Sequence, residues 1–64
     1  MIIETPIPIK ELEDIKRKSK ANVIVFLVEK VERNGIILNR VQILGPKEEI
    51  EKFINTLKLA RAGG

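Results

Sequence analysis

The pattern of apolar and polar positions divides the chain into five segments. The longest apolar segment, Val23–Leu44, contains one strong turn signal, Asn34-Gly35. Asn and Gly tolerate the positive φ angles that both central residues of a type I′ turn need, so this segment predicts a β-hairpin. From Ile50 to Leu57, apolar residues recur at i, i+3, i+4 and i+7, which predicts a helix over about residues 46–60.

The first third of the chain predicts a strand followed by a helix. Residues 1–5 are β-prone, and this strand must be short or lie at a sheet edge because Pro6 and Pro8 cannot donate to a ladder. Apolar residues at three-residue steps then predict a helix over about residues 9–18. Residues 61–64 are predicted to form a loose tail.

The order strand, helix, strand, strand, helix predicts one α+β domain over residues 1–64. A right-handed first crossover places the first strand beside the third. The result is an antiparallel-dominated sheet of order 1-3-2 with both helices on one face. This arrangement resembles a ferredoxin-like fold that lacks its last strand, as seen in many small regulatory and RNA-binding domains. The resemblance covers the architecture and no diagnostic motif, so it implies no activity.

The hairpin register decides which residues of Val23–Leu44 face the helices. With Asn34-Gly35 as a two-residue loop, Glu29 lies opposite Arg40, a favourable cross-strand pair. Continued without interruption, this register predicts a core face that carries Ile24, Phe26, Val28, Val41 and Ile43. It predicts an outer face that carries Val23, Val25, Leu27, Glu29, Val31, Leu38, Arg40, Gln42 and Leu44. A three-residue loop would shift the pairing by one residue, although Arg40 and Gln42 share a face with Leu38 and Leu44 under either register.

The mixed outer face predicts self-association. Its aliphatic residues would expose a patch at or above the few hundred Å² that monomers usually leave in water. A chain of 64 residues also has a marginal core of its own, and the absence of cysteine and histidine excludes disulfides and the commonest zinc sites. We therefore predict a homo-oligomer, in the first instance a dimer. Seven of the outer-face residues are the interface candidates: Val25, Leu27, Val31, Leu38, Arg40, Gln42 and Leu44. The alternatives are a half-solvated sheet and a ligand groove.

The charge distribution adds a second candidate site. Twelve Lys and Arg oppose nine Asp and Glu, for a net charge of +3. The densest basic run, KRKSK, ends the first predicted helix, where bases also suit the helix dipole without any partner. The candidate residues for phosphate contacts are Lys16, Arg17, Lys18 and Lys20, with Arg33 and Arg40 in second rank. Since the chain has no Tyr or Trp, we expect backbone contacts rather than base stacking.

The composition excludes most catalytic chemistry, because a chain without histidine cannot form a Ser-His-Asp arrangement. We expect no catalytic residues, metal site or cofactor. We predict a non-enzymatic binding module that self-associates and contacts nucleic-acid backbones. The alternatives are a protein-interaction or assembly module that uses the outer face, and a small-ligand-sensing regulatory domain.

The sequence also predicts where the protein acts. Met1 does not open a secretory signal, and the longest apolar run, Val23–Val28, is far shorter than the ~20 residues of a membrane span. We therefore expect a cytoplasmic protein with no membrane partner. The charged content of 33% is typical of proteins from hot environments.

Overall fold

The computed structural model describes residues 1–62 and contains three strands and two helices. The elements are β1 (Ile2–Thr5), α1 (Ile9–Ser19), β2 (Ile24–Arg33), β3 (Ile36–Leu44) and α2 (Lys47–Ala62). The predicted βαββα order is therefore confirmed. Because α2 ends at Ala62, Arg61 and Ala62 are helical and do not belong to a loose tail. The rest of the predicted tail, residues 63–64, lies outside the described residues.

The three strands form one sheet of order β1-β3-β2, in which both neighbouring pairs are antiparallel. β1 and β2 consequently run parallel to each other with β3 between them. The connection from β1 to β2 contains α1, which packs with α2 on one face of the sheet. This α+β architecture confirms the predicted fold class.

A two-residue turn closes the hairpin as predicted. Asn34 and Gly35 have φ angles of 52° and 80°, the positive values that a type I′ turn requires. Arg33 pairs with Ile36, and further along the strands Glu29 pairs with Arg40. The predicted register is therefore confirmed for the half of the hairpin next to the turn.

A β-bulge at Val28 makes the predicted register wrong in the other half. Leu27 pairs with Val41 and Glu29 pairs with Arg40, so Val28 has no opposite residue on β3. One extra residue reverses the alternation of side chains from that point. The inner face of β2, which is the face toward the helices, therefore carries Val23, Val25 and Leu27.

The core lies between this inner face and the two helices. Its most deeply buried members are Val41, Ile43, Leu12 and Phe53, each 0% exposed. Val23 and Val25 complete the inner layer of the sheet at 3% and 7%. The prediction that Ile24, Phe26 and Val28 belong to the core was wrong, since they are 61%, 44% and 48% exposed. The assignment of Val23, Val25 and Leu27 to the outer face was wrong for the same reason, the reversed alternation at the bulge.

Contacts at both ends hold α1 and α2 antiparallel. At one end the backbone N–H of Asn22, just after α1, donates to Glu49 Oε1 in the first turn of α2 at 2.8 Å. At the other end Arg61 lies 3.5 Å from the carboxylate of Glu11. Lys20 caps the C-terminus of α1, and its left-handed backbone (φ 58°) directs its N–H to the carbonyls of Lys16 and Arg17. Neither helix within residues 1–62 is long and apolar enough to cross a membrane.

Candidate functional site

The face of the sheet opposite the helices, here called the outer face, carries large apolar side chains that no described element covers. Ile2, Gln42 and Phe26 form one row across all three strands, and Ile24 and Leu44 form the adjacent row of the hairpin. The exposed large apolar residues on this face are Ile2 (58%), Ile24 (61%), Phe26 (44%), Ile36 (57%) and Leu44 (45%). The bulged Val28 is 48% exposed. The outer face therefore contains an apolar patch around Phe26.

A charged band crosses the outer face next to this patch. Glu4 accepts two hydrogen bonds from Arg33, at 2.8 Å from Nε and 2.9 Å from Nη2. It also accepts from Arg40 Nη2 at 3.0 Å, and Arg40 in turn pairs with Glu29. Because Glu4 lies on β1, Arg40 on β3 and both Glu29 and Arg33 on β2, the band ties all three strands together.

The charged band is electrically balanced, since two carboxylates meet two guanidinium groups. The hydrogen bonds from Arg33, and after them those from Arg40, lower the pKa of Glu4 from 4.5 to about 2. Glu4 is therefore fully ionised at neutral pH. Arg33 and Arg40 are already occupied by carboxylates and are poorly placed to bind an additional anion.

Most of the predicted interface residues lie on the outer face. Val31, Leu38, Arg40, Gln42 and Leu44 are there, whereas Val25 is buried and Leu27 is on the inner face. Sequence reasoning missed Ile2, Ile24, Phe26 and Ile36. For Ile2 a signal was available, because the predicted 1-3-2 order brings β1 beside Gln42. Ile24 and Phe26 could be found only by locating the bulge, which turns them to the outer face. Ile36 could be found only by including the residue that follows the turn.

The predicted basic residues form two separate groups. Lys16, Arg17, Lys18 and Lys20 lie at the end of α1, just before the start of β2. Arg33 lies at the other end of the ten-residue β2, about 30 Å away along the strand. Lys16, Arg17, Lys18 and Lys20 are here called the basic cluster. Arg33 and Arg40 are not part of it, because both lie on the hairpin away from the end of α1.

The basic cluster is largely free of acidic partners. Arg17 pairs with Asp14 one turn earlier in α1. Within residues 1–62, Lys16, Lys18 and Lys20 form no ion pair. Nearby, Glu49 is held by the N–H of Asn22 and by Lys52, and these contacts lower its pKa. The cluster thus presents several unpaired positive charges to solvent.

The polar groups of the outer face are engaged with one another in ion pairs. In the part of the chain that the structure describes, no group of three carboxylates lies where it could hold a metal ion. The sharpest pKa shift belongs to Glu4, whose carboxylate is fully engaged with two arginines. Such a carboxylate is a poor proton acceptor at neutral pH.

Comparison with known proteins identifies a family. A family described as "Uncharacterised protein", CHP_AF_0576, matches residues 1–64, the whole chain. The chain belongs to the CHP_AF_0576 family. Neither the curated proteins nor the solved structures gave a significant match. Because the description of the CHP_AF_0576 family names no activity, a function has to be argued from the geometry of the two surfaces described above.

Proposed function

We propose that this protein is a non-enzymatic assembly module that forms a cytoplasmic homodimer through its outer face. The observation that carries the proposal is the set of large apolar side chains exposed on a sheet face that no described element covers. Antiparallel sheets usually expose one face to water when that face is polar, with apolar and polar residues in alternation. Here the exposed face has an apolar patch instead.

The area of the outer face is appropriate for a dimer. The exposed parts of Ile2, Ile24, Phe26 and Leu44 amount to about 400 Å² of surface, the size of the largest apolar patch on a typical monomer, which is often a functional surface. A standard interface needs about 800 Å² from each partner. The half-buried Val31, Leu38 and Gln42 and the charged band can supply the remainder.

The charges of the outer face are compatible with a second copy as the occupant. A dimer with twofold symmetry brings the same face of both chains together, so a face with a large net charge would repel itself. The carboxylates and guanidinium groups of the charged band cancel. The unpaired lysines of the basic cluster lie in the last turn of α1 and directly after it, on the helix side of the sheet. Two sheets can therefore stack at the usual spacing of about 10 Å.

Sedimentation equilibrium tests this proposal. We expect the unmodified protein at about 100 μM to sediment as a dimer, since an interface of standard size commonly gives a micromolar or lower Kd. Phe26→Lys places a charge at the centre of the patch and should produce a monomer. The matched control is Leu59→Lys, since Leu59 is 78% exposed on α2, away from the sheet. This control should remain dimeric.

The proposal fails if the unmodified protein is monomeric at that concentration. It also fails if Leu59→Lys dissociates the dimer while Phe26→Lys leaves it intact, because the interface would then lie on α2. Circular dichroism of each variant shows whether a change in mass reflects unfolding. Phe26 is 44% exposed, so the lysine variant should fold.

The basic cluster supports nucleic-acid binding as a second candidate function. The specific observation is that Lys16, Lys18 and Lys20 have no acidic partner within residues 1–62. Lysines of this kind contact phosphates and release counterions, which gives affinity that falls steeply with salt and reads little sequence. The aromatic residues do not form a stacking platform, since Phe53 is buried and Phe26 stands alone on the outer face.

Titration of labelled duplex DNA and single-stranded RNA at two salt concentrations tests this second function. Replacement of Lys16, Lys18 and Lys20 by Gln should reduce the slope of log K against log salt by about 2–3. The charge-matched control replaces Lys30, Lys47 and Lys58 by Gln and should retain most of the slope. Absence of salt-sensitive binding at micromolar protein, or equal losses in the two triple variants, would exclude the basic cluster as a nucleic-acid site.

A further inference from the structure

A groove lies on the inner side of the sheet, where the hairpin extends past the start of α1. Its volume is about 380 Å³, within the range of small-molecule sites. The walls are largely apolar and include Pro8, Ile9, Leu27 and Ile37. Leu27 and Ile37 are 39% and 57% exposed, so the groove presents apolar surface that the core does not use.

The bulge at Val28 builds this groove. In a regular strand Leu27 and Lys30 would point to opposite faces, because they are three residues apart. The extra residue restores both to the inner face, where Leu27 pairs with Val41 and Lys30 pairs with Asn39. Bulges commonly re-aim a side chain beside a functional site. Here the bulge places a cationic side chain at the border of an apolar surface.

Two polar residues in the groove define what it can bind. Lys30 and Asn39 are direct cross-strand partners, so their side chains are neighbours. Asn39 Nδ2 donates to the carbonyl of Ile7 at 2.9 Å, which fixes the amide and leaves Oδ1 without a partner among residues 1–62. Lys30 forms no ion pair within those residues.

The charges around the groove favour an anion. No carboxylate side chain lines it: Glu29, next to Lys30, faces the other side of the sheet and pairs with Arg40, and Glu32, which shares the inner face with Lys30 and lies opposite Ile37, is exposed and is not part of the walls. α1 begins in the wall at Ile9, and the partial positive charge at the start of a helix has the same sign as Lys30. The groove thus combines an apolar body with positive charge at one point.

We propose that this groove binds a small aliphatic carboxylate, with the carboxylate at Lys30 and the hydrocarbon chain against Leu27, Ile9 and Ile37. Asn39 Oδ1 would accept a hydrogen bond from a donor next to the carboxylate of the ligand, such as a hydroxyl. The site is on the inner side of the sheet, so it does not depend on the dimerisation proposed for the outer face.

NMR titration of the ¹⁵N-labelled protein with hexanoate tests the site. We expect a saturable shift of the backbone amides of Leu27, Lys30, Ile37 and Asn39, with a Kd in roughly the millimolar range that a ligand of this size reaches. Hexanamide has the same chain without the charge and should bind about 2–5-fold more weakly, as expected when one partly solvated charge contact is lost.

Substitution of Lys30 provides a second test of the site. Lys30→Gln should weaken hexanoate binding about 2–5-fold and leave hexanamide binding unchanged, whereas the control Lys58→Gln on α2 should change neither. Equal affinity for hexanoate and hexanamide in the unmodified protein overturns the proposal without any variant. Shifts confined to outer-face residues, no saturable shift at about 20 mM hexanoate, or an unchanged affinity in a folded Lys30→Gln variant would overturn it too.

Discussion

At the scale of single residues, the two phenylalanines occupy contrasting environments. Phe53 on α2 is 0% exposed in the core, and Phe26 on β2 is 44% exposed on the outer face. Phe53→Ala removes a fully buried ring and should lower the free energy of unfolding by about 3–5 kcal/mol. A domain of this size rarely has more than about 3–5 kcal/mol in total. We therefore expect Phe53→Ala to be largely unfolded at 25 °C.

The matched substitution Phe26→Ala should cost about 1 kcal/mol or less in the isolated chain, since much of the ring is in water already. Urea denaturation followed by circular dichroism, at protein concentrations low enough to keep the chain monomeric, compares the two variants. Equal losses would mean that the ring of Phe26 is as deeply packed as that of Phe53, which the bulged register does not allow.

Glu4 links the stability of the fold to pH. Arg33 and Arg40 favour its ionised form and lower its pKa from 4.5 to about 2. Since the folded-state pKa is the lower one, the stabilisation is fully present above about pH 4.5 and is lost as the pH falls toward 2. Glu4→Gln should therefore destabilise the protein at pH 7, and its difference from the unmodified protein should shrink through this window.

Thermal unfolding at pH 7, 4 and 2.5 measures this effect. The control is Glu32→Gln, since Glu32 is another strand glutamate but is exposed and forms no ion pair within residues 1–62. Its difference from the unmodified protein should be small at all three pH values. A Glu4→Gln variant that keeps full stability at pH 7 would show that the charged band does not contribute to folding.

At the scale of elements, the Asn34-Gly35 turn sets the pairing of the hairpin. Gly35 has φ +80°, and an added Cβ would meet nothing within 4 Å. The cost of Gly35→Ala is therefore a backbone cost, about 1–2 kcal/mol. Asn34→Gly keeps the positive φ accessible and should change the free energy of unfolding by only a few tenths of a kcal/mol. Chemical denaturation of both variants checks this, and equal stabilities would argue against a type I′ turn.

The element order and the turn could be predicted because each has a strong local signal. Asn34-Gly35 fixed the loop length, and the spacing from Ile50 to Leu57 marked α2. The faces of β2 near its start had no such signal. Val23–Val28 is apolar at every position, so either alternation would bury aliphatic side chains. The bulge at Val28 determines which of these residues face the helices, and neither Gly nor Pro marks the bulge in the sequence.

The candidate surfaces could likewise be predicted only where the sequence carries a local signal. Leu38 and Leu44 on β3 were correctly placed on the outer face because residues two apart share a face, and Arg40 and Gln42 mark that face of β3 as the one away from the core. Lys16–Lys20 was visible as a charge run. The groove beside Lys30 was not visible, since it depends on the bulge and on the position of α1 relative to the hairpin. Sequence reasoning thus located the basic cluster and much of the outer face, and missed the groove that the sheet forms with the start of α1.

At the scale of the whole molecule, the inner face of the sheet contributes to the stability of the single chain, whereas the apolar patch of the outer face does not. The inner face and the helices bury a small core, and a 64-residue chain hides only about 60% of the surface that its unfolded form exposes. The apolar patch around Phe26 is left outside that core. If the outer faces of two chains pair, the patch becomes buried and folding becomes coupled to association.

This coupling predicts a melting temperature that depends on protein concentration. A tenfold rise in concentration shifts the dimer equilibrium by about 1.4 kcal/mol. With the usual unfolding entropy for two chains of this length, the Tm should rise by about 5 °C for each tenfold increase. Scanning calorimetry over two decades of concentration measures the slope. Phe26→Lys should abolish it and Leu59→Lys should preserve it, because Leu59 lies on α2 and not on the sheet. A flat Tm for the unmodified protein would mean that each chain folds alone and that its outer face stays in water.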